Sequence, residues 1–101
     1  MSSRKPAALK LSPLARQDFI DILRFTGETW GQNPLLTYRD KINDALQAIG
    51  HNPQLGHRSD DLPETHRAYL VGVHVIVYRS DADSIGIVRI LHQRMSLTRH
   101  L

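Results

Sequence analysis

The segment SPLARQDFIDILRFTGETWGQNP, residues 12–34, decides the fold predicted for this chain, because it contains one whole helix and the start of another. Ser12 can cap a helix with its side chain, and Pro13 in the first helical turn loses no N–H that the helix needs. Gly31 ends the first helix, and Asn33-Pro34 repeats the combination of cap and proline. Since the connection is short, we expect the two helices to form an antiparallel hairpin.

Both helices show apolar residues at spacings of three and four, as amphipathic helices do. The first helix is predicted over about residues 13–30, with the stripe Ala15, Phe19, Ile22, Leu23, Thr26 and Trp30. Ile20 and Phe25 lie off this stripe, so they either widen the buried face or remain exposed apolar surface. The second helix is predicted to end at Gly50 and Asn52-Pro53, with the stripe Leu35, Tyr38, Ile42, Ala45, Leu46 and Ile49.

A short apolar run precedes the hairpin, and segments rich in valine, isoleucine and tyrosine, which are typical of strands, follow it. One short strand is predicted at residues 7–11, and a loop over 53–64 precedes three more strands at 66–71, 73–79 and 84–92. The sequence therefore predicts an α+β fold in the order strand, helix, helix, strand, strand, strand. We expect a single domain over residues 1–101, with the N-terminal helical hairpin packed on a mostly antiparallel sheet.

Alternation in the last two strands places apolar residues on both faces of this sheet, which implies that both faces are covered. The helical hairpin can cover one face, and either the tail from Met95 to Leu101 or a partner must cover the other. In the third strand Val73, Val75 and Val77 are predicted to oppose His74, Ile76 and Tyr78, and in the fourth Ile85, Ile87 and Leu91 are predicted to oppose Val88 and Ile90.

The composition excludes several classes of site. The chain has no cysteine, so disulfides, thiolate metal sites and thiol nucleophiles are excluded, and a reducing cytoplasm is the expected location. No apolar run has the length of a signal peptide or a membrane span. Four histidines lie in the last third, but none has the spacing of a metal site, and no nucleotide or cofactor motif is present. We therefore expect no metal and no cofactor.

The positive charge is concentrated at the C-terminal end. Residues 65–101 contain five arginines and two aspartates, hence a net charge of +3, while the whole chain also carries +3. Such a region can meet nucleic acid or an acidic protein segment, although a small arginine excess is more often a solvated face.

Some of these cations would suit a ribonuclease, which needs positive groups at the scissile phosphate and a proton carrier. Arg67, Arg79, Arg89, His92 and Arg94 could supply them. The last strand and tail contain no tyrosine or lysine, however, and Tyr69 and Tyr78 in the earlier strands are interpreted as core or sheet surface. For His74 a hydrogen-bonded structural role is favoured, and for Trp30 a core position is favoured over a partner anchor.

In combination, six stretches resemble the ParE branch of the RelE/ParE superfamily, the toxins of bacterial toxin–antitoxin pairs. They run in family order across nearly the whole chain: LSPLARQDFIDI (11–22), TWG (29–31), NPQLGHRSDDL (52–62), HVIVYR (74–79), IVRILHQRM (87–95) and RHL (99–101). The sequence departs mildly at His57, where arginine often follows Leu-Gly, and at Ser96-Leu97, where an acidic-proline pair is frequent.

The resemblance implies a non-enzymatic toxin that inhibits DNA gyrase and is neutralised by a ParD-type antitoxin, with DNA contacted only through the antitoxin. Alternatives are a RelE-like ribosome-dependent mRNA endoribonuclease and a non-toxic binding module. The missing C-terminal tyrosine favours the ParE branch.

We expect the C-terminal tail to be an interaction surface, since arginine forks suit the carboxylates of an acidic antitoxin segment. The predicted antitoxin-binding set contains no catalytic or metal-binding residue and consists of Trp30, Arg67, Tyr69, Arg79, Arg89, Leu91, His92, Arg94 and Met95.

Overall fold

A computed structural model describes residues 7–101 and contains four strands and three helices in that range. The elements are β1 (Ala8–Leu11), α1 (Pro13–Trp30), α2 (Gln32–His51), β2 (His66–Val71), β3 (His74–Ser80), β4 (Ser84–His92) and a short α3 (Leu97–His100). The predicted α+β order is confirmed, and α3 is the one element of the tail that the sequence did not indicate. No helix within residues 7–101 is both long and apolar enough to cross a membrane.

The start of α1 forms as predicted, because the Ser12 hydroxyl accepts a hydrogen bond of 3.0 Å from the Ala15 backbone N–H. The predicted start of α2 was wrong: Gly31, not Asn33, is the cap, and Gln32 already belongs to the helix. Gly31 has φ +100°, a value that favours glycine, and it closes α1 and opens α2. Pro34 therefore lies two residues deeper than expected, still within the first turn, where its missing N–H is not needed.

The sheet has the order β1-β4-β3-β2. The β2–β3 and β3–β4 pairs are antiparallel, as predicted, while β1 pairs with β4 in parallel because the helical hairpin carries the chain across one face of the sheet. Since β1 ends at Leu11, opposite Ile87, the C-terminal half of β4 has no strand on the β1 side, although β3 pairs with it on the other. Residues of α1 and its cap occupy this edge: the Ser12 hydroxyl donates to the Val88 carbonyl at 2.7 Å.

The main core lies between the helical hairpin and one face of the sheet, called the helix face here. The buried side chains of this cluster are Ala15, Ile42, Ala45, Leu46, Ile49, Val71, Ile76, Tyr78, Ile85, Ile87 and Ile90. Burying large apolar side chains contributes about 1.5–3 kcal/mol each, so this cluster is the main source of stability.

The opposite face, called the second face here, carries a smaller core. Ala68 and Val77 are buried there together with Leu62 from the loop after α2, and Leu97 of α3 packs against them. Of the two alternatives that the sequence left open for covering this face, the tail or a partner, the tail covers part of it. Leu70 on β2 remains more than half exposed.

A bulge in β4 changes which residues share a face. Val77 opposes Arg89, but the next residue, Tyr78, opposes Ile87, so Val88 is an extra residue in its strand. The alternation predicted for Ile90 and Leu91 was therefore wrong. Ile90 joins Ile85 and Ile87 in the main core, while Leu91 pairs with Val75 on the second face.

Candidate partner-binding groove

Two adjoining depressions lie on the helix side of the molecule, where β3 begins and β4 ends. The larger has a volume of about 750 Å³ and lies between the end of α1, the start of α2 and the β2–β3 turn. The smaller, of about 390 Å³, extends along α1 to Met95. They share Phe25, His74 and His92 as lining residues, and together they are called the apolar groove here. Concave, largely apolar surfaces of this size are typical of binding sites.

The floor of the groove is a cluster of three rings, in which Tyr38 is hydrogen-bonded to His74 and His92 stacks edge-on against His74. The Tyr38 hydroxyl lies 2.5 Å from Nδ1 of His74, and it also contacts the backbone of the β2–β3 turn, donating to the Val71 carbonyl and accepting from the Val73 N–H. The ring of His92 stands edge-on to that of His74, with centroids 5.4 Å apart. The structural role favoured for His74 is thus confirmed, and the same residue also forms part of a surface.

Two groups of the floor, His74 and Tyr38, are uncharged at neutral pH. Burial, together with the neighbouring His92, lowers the pKa of His74 below the usual value for histidine. Burial also raises the pKa of the Tyr38 hydroxyl. The Arg94 N–H donates to Nδ1 of His92, so a neutral His92 carries its proton on Nε2, which is free to donate. Lys41 is the one lysine or arginine among the residues that line the larger depression.

The rim of the groove carries aromatic side chains that contact little of the chain. Trp30 is 70% exposed and Phe25 is 65% exposed, and both line the larger depression. The core position favoured for Trp30 was therefore wrong: α1 ends at Trp30, and the chain turns away at Gly31 before another element can cover the ring. Val73 and Met95 add exposed apolar surface at the other side.

The structure brings only some of the predicted antitoxin-binding residues to this groove. Trp30, Leu91, His92 and Met95 line it, and Arg94 is exposed two residues after the end of β4. Leu91 is only 1% exposed, so it cannot offer a partner the free apolar contact that was expected of it.

Arg89 is also engaged within the chain. Its guanidinium donates two hydrogen bonds to Asp18, at 2.8 and 2.9 Å, and a third to the His100 carbonyl. The expectation that this fork is free for a partner's carboxylate is corrected, because α1 already supplies the carboxylate. Asp18 hydrogen bonds raise the pKa of Arg89.

The remaining predicted residues lie away from the groove. Arg67 is half-buried and donates to the Gly56 carbonyl at 2.8 Å. Tyr69 packs against the main core, and Arg79 is exposed on the second face. The groups considered for RNA cleavage are therefore spread over both faces. Within residues 7–101, no group of three histidine or acidic side chains is placed to hold a metal ion.

Sequence reasoning missed Phe25, Tyr38, Val73 and His74 as surface residues of a site. Only Phe25 gave a signal, because it lies off the apolar stripe of α1. Tyr38 belongs to the stripe of α2, and only its hydroxyl reaches the groove floor, where tertiary packing brings β3 alongside.

The chain is similar in sequence to a known family of toxins over most of its length. The profile of the family described as ParE toxin of type II toxin-antitoxin system, parDE, matches residues 9–97. Toxin ParE1 of Mycobacterium tuberculosis is 32% identical over 92 residues, which are 90% of this chain and 94% of that protein. Toxin ParE1 of Caulobacter vibrioides is 29% identical over 92 residues, covering 91% and 95% of the two chains.

Solved structures share the fold at low sequence identity. The chromosomal ParDE system from P. aeruginosa aligns with a TM-score of 0.74 and 19% identity over 85% of this chain and 95% of that one. The toxin–antitoxin complex RelBE2 of Mycobacterium tuberculosis aligns with a TM-score of 0.61 and 18% identity, over 87% and 99% of the chains.

Proposed function

The chain belongs to the ParE toxin family of type II toxin–antitoxin systems, and from this we propose that it inhibits DNA gyrase and is neutralised by a ParD-type antitoxin. The observation that carries the antitoxin half of the proposal is the apolar groove with its exposed rim. A chain of 101 residues that leaves Trp30 and Phe25 largely in water has an apolar surface suited to a partner.

The chemistry of the groove indicates the kind of antitoxin segment that would fit it. Apolar side chains spaced along one face of a helix can fill the space between Trp30, Phe25 and Met95. Acidic side chains at its flanks can pair with Lys41 and with the exposed Arg94. The antitoxin contact is accordingly proposed at Trp30, His92, Arg94 and Met95 from the predicted set, extended by Phe25 and Val73.

Arg67, Tyr69 and Arg79 are proposed only as secondary contacts. They lie outside the groove, so the antitoxin would reach them with a segment that leaves the groove and continues around the sheet.

We also propose that the toxin acts by binding and not by chemistry. A ribonuclease needs its cations and its proton carrier around one phosphate. Here Arg67 and Arg89 are held by internal acceptors, His92 faces the groove, and Arg79 lies on the other face of the sheet.

The antitoxin contact is tested with the Trp30→Ala variant. Because aromatic anchors at interface centres contribute about 2 kcal/mol or more, the dissociation constant for the ParD-type antitoxin encoded beside this chain should rise about 30-fold, measured by calorimetry. Leu14→Ala is the matched control, since Leu14 is an exposed apolar residue on α1 outside the groove. Equal effects of both changes would refute the groove as the antitoxin site.

The target is tested separately with purified gyrase. The toxin should block supercoiling of a relaxed plasmid and stabilise cleaved DNA, and an equimolar amount of antitoxin should restore supercoiling. Unchanged supercoiling with ribosome-dependent mRNA cleavage, lost in His92→Ala, would identify a RelE-like ribonuclease instead. Normal growth of a bacterium that expresses the chain without antitoxin would identify a non-toxic module.

A further inference from the structure

A row of positive side chains crosses the second face of the sheet at the end away from the groove. Residues directly opposite one another in neighbouring strands point to the same face. Lys10 of β1 opposes Gly86 of β4, Gly86 opposes Arg79 of β3, and Arg79 opposes His66 of β2. Lys10, Gly86, Arg79 and His66 therefore form one line across all four strands, called the cationic row here.

Neighbouring side chains show which face this row occupies. Leu9 and Leu11 on either side of Lys10, and Tyr78 before Arg79, all pack in the main core on the helix face. Lys10 and Arg79 must therefore point to the second face, and both are exposed there. With strands about 4.8 Å apart, the row spans about 14 Å from β1 to β2.

Gly86 leaves the centre of the row without a side chain. A Cβ atom at Gly86 would lie 3.8 Å from Cγ and from Nε of Arg79, so the Arg79 side chain extends over the bare glycine. Lys10, Arg79, Ser84 and Gly86 line one shallow depression of about 280 Å³. The Arg79 side chain thus covers this centre and Lys10 lies on its other side, so both cations can face one extended anion.

Within residues 7–101, the cations of the row have no ion-pair partner. Among residues 7–101, no carboxylate oxygen lies within 4.0 Å of a side-chain nitrogen of Lys10, Arg79 or His66, although Asp81 lines the same depression. Burial lowers the pKa of the His66 imidazole, and the nearby charge of Arg79 lowers it further. His66 is therefore neutral at neutral pH and gains a positive charge only on acidification.

We propose that the cationic row binds the phosphodiester backbone of DNA, as a surface distinct from the apolar groove. The family resemblance implies that DNA is contacted only through the antitoxin, whereas the cationic row would contact DNA directly. The planar fork of Arg79 matches phosphate oxygens, and Lys10 adds a point charge two strands away. Gly86 and Ser84 have no apolar side chain, and Leu11 and Ile87, which also line the depression, pack in the main core, so the centre suits a phosphate backbone better than a protein segment.

The choice of DNA rests on the proposed function, because a toxin that acts on gyrase works beside DNA. The groove and the row lie on opposite faces of the sheet, so the antitoxin and DNA would not compete for the same residues.

The test uses the purified full-length chain and a fluorescently labelled 16-base-pair duplex, with anisotropy measured from 20 to 200 mM NaCl. Each phosphate contact contributes about 0.9 to the slope of log K against log salt. At pH 7.5 we expect Lys10→Gln and Arg79→Gln each to reduce the slope by about 0.9. Arg16→Gln, which removes an exposed charge from α1, is the control of equal net charge and should leave the slope unchanged.

The bare centre of the row provides a second, independent variant. Gly86 has no positive φ, and a Cβ there meets only ordinary contacts, so both Gly86→Ala and Gly86→Asp should fold. Gly86→Asp places a carboxylate between Lys10 and Arg79 and should weaken DNA binding at least tenfold, whereas Gly86→Ala should leave it within about twofold. In His66→Gln, the strengthening of wild-type binding between pH 7.5 and pH 5.5 should be lost.

The outcomes separate this inference from the proposed function, since neither gyrase nor antitoxin is present in the binding assay. Equal slopes for Lys10→Gln, Arg79→Gln and Arg16→Gln would overturn it and indicate diffuse electrostatic attraction. Binding to polyglutamate in place of the duplex would overturn it in favour of an acidic protein partner. Failure to inhibit gyrase with the expected slopes retained would refute the proposed function and leave the DNA surface standing.

Discussion

The carboxylate of Asp18 on α1 and the guanidinium of Arg89 on β4 form a two-point ion pair, with N–O distances of 2.8 and 2.9 Å. The same carboxylate accepts the Ile90 backbone N–H at 3.0 Å, on the edge of β4 that β1 does not reach. Arg89 in turn donates to the His100 carbonyl. One pair of residues thus joins the helical hairpin, the sheet edge and the tail.

Removing the carboxylate of Asp18 from this ion pair should strongly destabilise the fold. Both side chains are only 15% exposed, so Asp18→Ala leaves a buried charge and an unpaired N–H and should cost about 3 kcal/mol in urea unfolding. Asp21→Ala is the control, since Asp21 pairs with Arg24 at 3.8 Å in solvent and its loss should cost at most about 0.5 kcal/mol. Similar losses in both variants would contradict the assignment.

Removing the Tyr78 hydroxyl should destabilise the loop after α2, because two hydrogen bonds of this group hold the loop. It accepts from the Gly56 N–H at 2.7 Å and donates to the Pro53 carbonyl at 2.8 Å. Tyr78→Phe leaves both backbone groups without this partner, at a cost of about 1–3 kcal/mol. Hydrogen exchange at Gly56 should accelerate relative to wild type, and Tyr69→Phe, at a half-buried tyrosine of β2, should leave it unchanged.

Gly72 in the β2–β3 turn and Gly86 in β4 should respond differently to alanine. Gly72 has φ +57°, and a Cβ there would lie 2.7 Å from the Tyr38 hydroxyl oxygen. Gly72→Ala should therefore cost at least about 1–2 kcal/mol from the backbone alone and disturb the groove floor. Gly86→Ala, with a negative φ and its nearest contact at 3.8 Å, should change thermal stability by less than about 0.5 kcal/mol. An equal loss at both positions would show that the Gly72 turn is not constrained.

Acidification should destabilise the protein through His74. Since its pKa in the folded state is lowered, the unfolded chain binds the proton more readily. The stability contributed by neutral His74 is present above about pH 6.5 and is lost as the pH falls through the folded pKa. His92 and Lys41 line the larger depression together with His74, and Asp18 and Asp21 share the smaller depression with it.

Urea unfolding at pH 7 and pH 5 checks this expectation. The midpoint of wild type should fall on acidification, and the fall should be smaller in His74→Gln. His66 has a lowered pKa as well, so His66→Gln is measured in parallel to separate the two contributions. A midpoint in His74→Gln that falls as far as in wild type would remove His74 from the explanation.

The element order was predictable because local chemistry encodes it. Ser12-Pro13 and Gly31 set the bounds of α1, and alternating apolar residues marked β3 and β4. The register within β4 was not predictable, because nothing in the sequence around Val88 indicates the extra residue that moves Ile90 to the other face.

The groove was predictable only in part. Trp30, His92 and Met95 were chosen from their residue types and positions, and they do lie together. Arg89 and Leu91 were chosen on the same grounds, but one is paired with α1 and the other is buried. The type of a residue shows that its side chain could contact a partner. It does not show whether that side chain is already buried or hydrogen-bonded within its own chain.

By itself, the sequence determined the helical hairpin, the meander and the membership in the ParE family, since each follows from local patterns and from motifs in order along the chain. Only the tertiary structure decided that β1 pairs in parallel with β4, which puts Lys10 in line with Arg79, and that Asp18 satisfies Arg89. These contacts join residues far apart in the chain, and their geometry depends on how the packed layers meet, which no local pattern records.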